Sequence, residues 1–196
     1  MLAPGTAGQV LQTNGAGAGV QWSSGGELEK ITETNASTDA SISVTGLSNS
    51  YGLYRFIWNG IAPTADGDNL IFRTSSNSGS SYDQGASDYQ WGMHVLEFGG
   101  STSHVDTNAD NAVSVTQSIG SDTNENGTVI IDLVHPAQAR YTRGFFWSCY
   151  EANNGTFRLS NGAFLRNAVA VVNAVRFQFS SGNISAGNLT VYGMKM

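Results

Sequence analysis

The fold is decided by stretches in which apolar and polar side chains alternate, the clearest of which is Tyr89-Gln90-Trp91-Gly92-Met93-His94-Val95. Alternation with period two places every second side chain on one face of a β-strand, so the strand has one apolar and one more polar face. The same pattern recurs at residues 42–44, 70–72, 113–115, 129–133, 157–159, 175–179 and 189–191. The sequence therefore predicts a chain made of half-buried strands.

Turn signals separate these strands. Asn-Gly pairs occur at residues 59–60, 126–127, 154–155 and 161–162, and further turn clusters occur at 65–68 and 181–183. Asn and Gly both tolerate the positive φ that a type I′ hairpin turn requires. About nine or ten such strands fit two antiparallel sheets packed face to face. We therefore predict an all-β, antiparallel β-sandwich that is jelly-roll-like and forms a head domain over residues 27–196.

The first 26 residues differ from the rest because Gly and Ala dominate them. Ordering glycine costs more backbone entropy than ordering any other residue, so this segment is a poor folded unit by itself. It nevertheless carries large apolar side chains that are unfavourable in water. Residues 1–26 are therefore predicted to be an extended assembly or anchoring segment. The candidate oligomerisation or anchoring residues are Val10, Leu11, Val20 and Trp22.

Composition excludes several classes of partner. Charged residues make up 12% of the 196, and the net charge is −6 with the nine basic residues scattered. A nucleic-acid partner would require a basic stripe, and so would adsorption to anionic lipid, so neither nucleic acid nor membrane is expected. The single cysteine, Cys149, excludes an intrachain disulfide. It shares a strand face with Phe145 and Trp147 and is predicted to be a small buried side chain.

Two segments of the tail carry a family resemblance, Gly5-Thr6-Ala7-Gly8-Gln9-Val10-Leu11 and Asn14-Gly15-Ala16-Gly17 followed by Trp22. They resemble a linker motif of bacteriophage tail-fibre and appendage proteins. Residues 73–76 with 79–82, and 179–184 with 191–193, resemble the β-sandwich heads found with that linker. The resemblance implies a homotrimer on the virion surface, assembled in the bacterial host cytoplasm and in contact with other virion structural proteins of the tail or capsid. Only Met1-Leu2 precede the linker, so no long stalk is expected.

The sequence carries little evidence of catalysis or of cofactor binding. The sequence contains no Gly-x-Ser-x-Gly, His-Glu-x-x-His or Walker motif, and His104 with Asp106 is a weak triad candidate in a chain so rich in serine. We therefore expect a non-enzymatic protein without a cofactor. No metal is expected either. A weak calcium candidate comprises Asp122, Asn124 and Asn126, but Leu133 stands where the loop needs a bidentate glutamate.

Saccharide binding is the remaining candidate activity, because the chain has four tryptophans and seven tyrosines. Trp58 precedes an Asn-Gly pair, and Tyr82 and Tyr89 flank the polar loop 75–88, which is predicted to overhang the rim of the sandwich. Trp91 and Trp147 lie within alternating runs and are predicted to be core residues. The candidate saccharide-binding residues are Trp58, Tyr82, Asp83 and Tyr89.

Three functions remain open from the sequence. The first is the head of a trimeric fibre or appendage that faces outward and binds host-surface saccharide. The second is a capsid decoration or head-fibre protein, anchored to the shell by its N-terminal segment and without a specific ligand, which the short tail favours. The third is an enzyme or a free carbohydrate-binding module, which the linker motif disfavours.

Overall fold

The structure, a computed structural model, is built from β-strands and describes residues 3–6, 9–13, 17, 19–24 and 28–195. The strands are β1 (Gln9–Thr13), β2 (Val20–Ser24), β3 (Leu28–Ala36), β4 (Ile42–Thr45), β5 (Leu53–Pro63), β6 (Leu70–Ser75), β7 (Tyr89–Glu97), β8 (Thr102–Asp110), β9 (Val113–Ser114), β10 (Gly127–Val134), β11 (Arg140–Glu151), β12 (Phe157–Ala170), β13 (Ala174–Phe179) and β14 (Ile184–Met194). All pairings between neighbouring strands are antiparallel. The predicted all-β class is confirmed.

Eight of the strands follow the order of a jelly roll. One sheet contains the run β3-β14-β5-β10, and a four-stranded sheet has the order β4-β13-β6-β9. If these eight strands are numbered along the chain, the two runs are 1-8-3-6 and 2-7-4-5, the pattern of two interlocked Greek keys. The jelly-roll-like sandwich predicted from the alternation is therefore the observed architecture.

Two further hairpins widen one of the sheets. The hairpin β7–β8 lies between β6 and β9 in sequence, and β11–β12 lies between β10 and β13. Both add to the edge of β10, so this sheet has the full order β3-β14-β5-β10-β11-β12-β7-β8. We call it the wide sheet, and the four-stranded partner the small sheet. The face of the wide sheet turned away from the small sheet is its outward face.

Aromatic rings fill the space between the two sheets. Phe177 of the small sheet lies edge-on to Phe56 and Trp58 of β5, with ring centroids 5.3 and 5.8 Å apart. Phe72 of β6 packs on Phe164 of β12 at 4.9 Å. Edge-to-face pairs of this kind stabilise a core by roughly 0.5–1.5 kcal/mol each beyond the apolar area they bury. The core therefore spans the original jelly roll and the added hairpins alike.

The predicted turns divide into two groups. Asn154-Gly155 joins β11 to β12, and Gly182 joins β13 to β14, each glycine having a positive φ as a tight turn requires. Asn59-Gly60 and Asn161-Gly162, by contrast, lie inside strands β5 and β12, so their prediction as turns is wrong. Two residues, Asn59 and Gly60, stand opposite the single Thr128, which makes this site a β-bulge.

The N-terminal segment is a hairpin where the sequence predicted an extended chain. β1 and β2 pair with Leu11 opposite Trp22. The Trp22 indole N–H donates to the carbonyl of Ala3 at 2.6 Å, and a Cβ at Gly5 would overlap the indole ring. The segment is thus held by its own cross-strand and indole contacts. The predicted boundary after residue 26 falls on residues 25–27, which lie outside the described residues.

Gly144 of β11 is expected to tolerate no side chain. A Cβ there would overlap the carbonyl oxygen of Asp132 and lie 2.7 Å from the Phe164 ring, which is itself packed on Phe72. We expect Gly144→Ala to lower the free energy of unfolding by about 1–3 kcal/mol, measured by urea denaturation, because overpacking displaces the ring. Gly92→Ala is the matched control, since its Cβ would meet its nearest atom at 3.3 Å. Equal losses in the two variants would contradict this account.

Candidate functional site

The outward face of the wide sheet carries most of the exposed large apolar side chains among the described residues. They lie on β7, β11, β12 and the β7–β8 turn, that is, on the two added hairpins: Leu96, Phe98, Tyr141, Phe145, Trp147, Phe157, Leu159 and Val169. Contiguous exposed apolar surface is rare on a soluble domain and marks a site of interaction. The candidate site is therefore on this face.

A groove of about 800 Å³ crosses the added strands. Its centre is one cross-strand row, in which Asp106 of β8, Gly92 of β7, Ala163 of β12 and Phe145 of β11 are successive register partners. Gly92 and Ala163 are small, so they form a low floor between Asp106 and Phe145. The groove is also lined by Gln90, Asn108 and Arg143.

The two sides of the groove differ in chemistry. Phe145 is 52% exposed and offers an open aromatic surface. Asp106 and Asn108 on β8 offer carboxylate and amide groups, and the Asp106 carboxylate lies 3.1 Å from Nε2 of His104. A pocket with an apolar wall and a few placed polar groups is the usual form of a small-molecule site. This arrangement can bind and orient a ligand that has both an apolar face and hydroxyl groups.

A shallower hollow of about 380 Å³ continues the groove along the same strands. It is lined by His94, His104 and Asn161 in addition to Phe145 and the groove floor. His94 and His104 are register partners whose ring centroids lie 5.6 Å apart. The two cavities lie on either side of Phe145 along the strands, so a ligand with more than one ring could occupy both.

An ion pair supports Phe145 on the side away from the groove. Its register partner Asp132 is buried and accepts two hydrogen bonds from Arg55, at 2.7 Å from Nε and 2.6 Å from Nη2. These hydrogen bonds raise the pKa of the Arg55 guanidinium above its ordinary value. A bidentate Arg–carboxylate pair is geometrically fixed as well as charge-assisted. The strand that presents Phe145 is therefore held in place by a rigid, charge-neutral neighbour.

The structure places the predicted saccharide-binding residues away from this groove. Trp58 and Tyr89 are fully buried, because their strand positions point inward to the small sheet, so neither can stack on a sugar. Tyr82 is half-buried and lies beneath the Arg176 guanidinium, 4.3 Å from its ring centroid. Asp83 accepts hydrogen bonds from buried Arg166 and from Thr74, both at 2.7 Å. Loop 75–88 is thus held to the sandwich at Tyr82 and Asp83, while most of its other residues are exposed.

The tryptophans and the cysteine of the alternating runs also differ from expectation. Trp147 is 47% exposed on the outward face, so its prediction as a core residue is wrong, whereas Trp91 is half-buried and packs against the core. Cys149 shares the face of Phe145 and Trp147 as predicted, but this face points outward and the thiol is only half-buried. The sequence did carry a signal that one face of this strand is exposed. Residues 145–150 are apolar on both faces, and a two-layer sandwich can bury only one face of a strand.

The anchoring candidates are available for contact. Leu11, Val20 and Trp22 are exposed on the β1–β2 hairpin, while the side chain of Val10 lies outside the described residues. His104 and Asp106, the weak triad candidate, lie in strand β8.

Residues 122–126 form a turn that is closed by its own groups. The buried carboxylate of Glu125 accepts from the backbone N–H of Asp122 at 2.9 Å, and the Asn126 amide donates to the carbonyl of Asn124 at 3.4 Å. Within the described part of the chain, no group of three or more His, Cys, Asp or Glu side chains is arranged to hold a metal ion. Among the same residues, no helix is long and apolar enough to cross a membrane.

The strand order of the two sheets places the chain in a structural class. It is an antiparallel β-sandwich with jelly-roll strand order. No protein-family model matches the sequence, and no curated protein matches it. Among solved structures, the complex of toad ovary galectin with thio-digalactose is similar over 78% of this chain and 98% of the galectin chain, with 13% identity and a TM-score of 0.28. A TM-score of that size carries no argument about function.

Burial of Tyr89 predicts a loss of stability in alkali. Burial is the main cause that raises the pKa of its hydroxyl to about 12, against an ordinary value of 10.0. Stability from the neutral hydroxyl is therefore fully present below about pH 10 and is lost as the pH rises towards 12. We expect the free energy of unfolding to fall over that window and Tyr89→Phe to flatten the decline. Burial also raises the pKa of Tyr150, so part of the slope remains. An unchanged slope in Tyr89→Phe would contradict this.

Proposed function

We propose that the chain is a non-enzymatic structural protein of a phage virion, a short trimeric appendage whose β-sandwich head faces outward and binds host-surface saccharide. The observation that carries the saccharide assignment is the groove between Phe145 and the polar residues of β8. The virion assignment rests on the linker motif in residues 5–22. The groove therefore replaces the rim residues suggested by the sequence as the candidate saccharide-binding site.

A sugar ring suits this groove better than a fully apolar ligand does. The C–H face of a pyranose can lie on the exposed ring of Phe145, while its hydroxyls point to the opposite wall. There, the Asp106 carboxylate accepts hydrogen bonds and the Asn108 amide both donates and accepts. The volume of about 800 Å³ lies within the range of roughly 300–1,000 Å³ that is typical of ligand pockets. The pocket thus has room for more than one sugar unit.

Assembly into a trimer would convert weak saccharide binding into firm attachment. A site with a Kd of about 1 mM binds with only about 4 kcal/mol. Linking several such sites raises the avidity by roughly two to four orders of magnitude without a new contact. The β1–β2 hairpin supports this assembly, since it exposes Leu11, Val20 and Trp22.

A second candidate function is a capsid decoration or head-fibre protein that has no specific ligand. The β1–β2 hairpin favours it, because a hairpin closed by Trp22 on Ala3 and Gly5 is a compact unit with an apolar surface. Such a unit could dock on a viral shell. This function needs the same tail but leaves the groove unoccupied.

Truncating the aromatic wall should remove saccharide binding. We expect Phe145→Ala to weaken binding to saccharides from the host surface at least tenfold, because the stacking surface is lost and only the polar wall remains. The measurement is a glycan array followed by calorimetric titration of the best ligand. Tyr141→Ala is the matched control, since Tyr141 is an exposed aromatic residue of the same strand that does not line the groove.

The two candidate functions give different results in this experiment. Binding that Phe145→Ala loses and Tyr141→Ala retains supports the saccharide head. Wild-type protein that binds no host glycan or host cell, but does bind purified capsids, supports the decoration protein. Equal loss in both variants would contradict the groove as the binding site.

The tail is expected to drive association independently of the head. Leu11→Ser/Trp22→Ser removes two exposed apolar side chains, and Trp22 also loses its hydrogen bond to Ala3. We expect the oligomer to weaken while the sandwich keeps its unfolding temperature. Sedimentation equilibrium measures the first and calorimetry the second. An unchanged oligomer would refute the anchoring role of these residues.

A further inference from the structure

The groove contains a basic side chain next to its aromatic wall. Arg143 lies two residues before Phe145 in β11, so both side chains point to the same side of the wide sheet. Arg143 is exposed and lines the groove. Among the described residues that line it, Arg143 is the only Lys or Arg. A ligand that stacks on Phe145 therefore has one guanidinium beside it.

The positive charge of Arg143 has no carboxylate partner among the described residues. Five of the nine Lys and Arg side chains form ion pairs with Asp or Glu: Lys30, Arg55, Arg158, Arg166 and Lys195. The register partners of Arg143 are the apolar residues Val134 and Leu165. On the neighbouring strand β10, Asp132 already accepts hydrogen bonds from Arg55 with both carboxylate oxygens. The guanidinium of Arg143 is thus available to a ligand.

The acidic group of the groove lies at its opposite end. Asp106 is on β8, three strands away from β11, which corresponds to about 14 Å across the sheet. Its carboxylate lies 3.1 Å from Nε2 of His104, whereas Arg143 has no such partner. The groove therefore has a positive end on β11 and a negative end on β8, and the positive end is the one whose charge is unmatched.

A carboxylate is the anion that this arrangement fits best. A guanidinium presents two parallel N–H groups to the two carboxylate oxygens, and such charge-assisted hydrogen bonds are roughly twice as strong as neutral ones. A phosphate monoester carries a charge of about −1.5 to −2 at pH 7, so a single guanidinium would leave part of it unneutralised. Arg143 and Phe145 are about 7 Å apart along the strand. A carboxylate on the stacked sugar, or on the next one, is within reach.

We propose that the groove binds acidic saccharides, with a sugar carboxylate paired with Arg143 while the sugar ring lies on Phe145. Hydroxyl groups of the same or the next sugar unit point to Asp106 at the far end. This inference rests on the proposed saccharide function and adds the class of sugar and its orientation. The net charge of the chain is −6, but salt screens charges beyond about 8 Å at physiological ionic strength. The nearby guanidinium therefore has the stronger effect on the ligand.

The test is an array of acidic glycans and their neutral counterparts. Glycans that end in glucuronate or galacturonate are printed beside glycans that end in glucose or galactose in the same linkage. We expect the full chain to bind the acidic members at least tenfold more tightly. The best acidic glycan is then titrated by calorimetry in its native form and after reduction of its carboxylate to an alcohol.

Variants of Arg143 show whether this side chain makes the distinction. Arg143→Gln is expected to weaken binding of the acidic glycan at least tenfold and to leave binding of the carboxyl-reduced form unchanged. Arg143→Lys keeps the charge without the two parallel N–H groups and should restore part of the affinity. Added salt should weaken binding by the wild type more than binding by Arg143→Gln.

The matched control is Arg140→Gln. It removes the same charge from an exposed position of the same strand that does not line the groove. This variant should bind the acidic glycan as the wild type does. Because both arginines are exposed, both glutamine variants should keep the unfolding temperature of the wild type, which calorimetry measures.

Each outcome decides the proposal. A preference for acidic glycans that Arg143→Gln loses and Arg140→Gln keeps supports it. Equal or tighter binding of the neutral counterparts overturns it, and so does equal loss in the two glutamine variants. Binding of neutral glycans that Phe145→Ala abolishes overturns only the acidic class and leaves the saccharide function standing. A wild type that binds no glycan overturns both.

Discussion

The unequal width of the two sheets is the constraint on which the rest of the molecule depends. A four-stranded sheet faces a sheet of eight strands, and the added strands β11 and β12 carry large apolar side chains on both faces. Their inward residues, Phe146, Tyr150 and Phe164, complete the core. Their outward residues have no third layer to cover them, so apolar side chains remain in water. This uncovered apolar surface is what makes the outward face the candidate site of interaction.

Cross-strand register divides that face into two areas. The row through Phe145, Ala163, Gly92 and Asp106 contributes the floor of the groove, whereas Leu159 and Leu96 form a separate apolar row. Neighbouring strands are about 4.7–4.9 Å apart, so a row across four strands covers roughly 15 Å, the length of two or three sugar units. The groove is therefore long enough for a ligand of two or three linked rings.

Local sequence predicted the strands well because alternation with period two is a property of neighbouring residues. The segment 129–133 became the centre of β10, and Asn154-Gly155 became a hairpin turn. Which face of a strand points inward is decided by distant partners, and here the sequence failed. Trp58 is buried by Phe177, more than a hundred residues away, and Trp147 is exposed because the small sheet does not cover its face. The bulge at Asn59-Gly60 likewise depends on the register that β5 keeps with β10 and β14.

The alternation within β11 separates what the fold must keep from what natural selection is free to change. Phe146, Ser148 and Tyr150 face the core, while Phe145, Trp147 and Cys149 face outward on the same strand. Substitutions at every second position could therefore alter the chemistry of the outward face without altering how the chain folds. If the head binds host saccharide as proposed, such a strand offers a route to new attachment by single codon changes, with the jelly roll inherited intact.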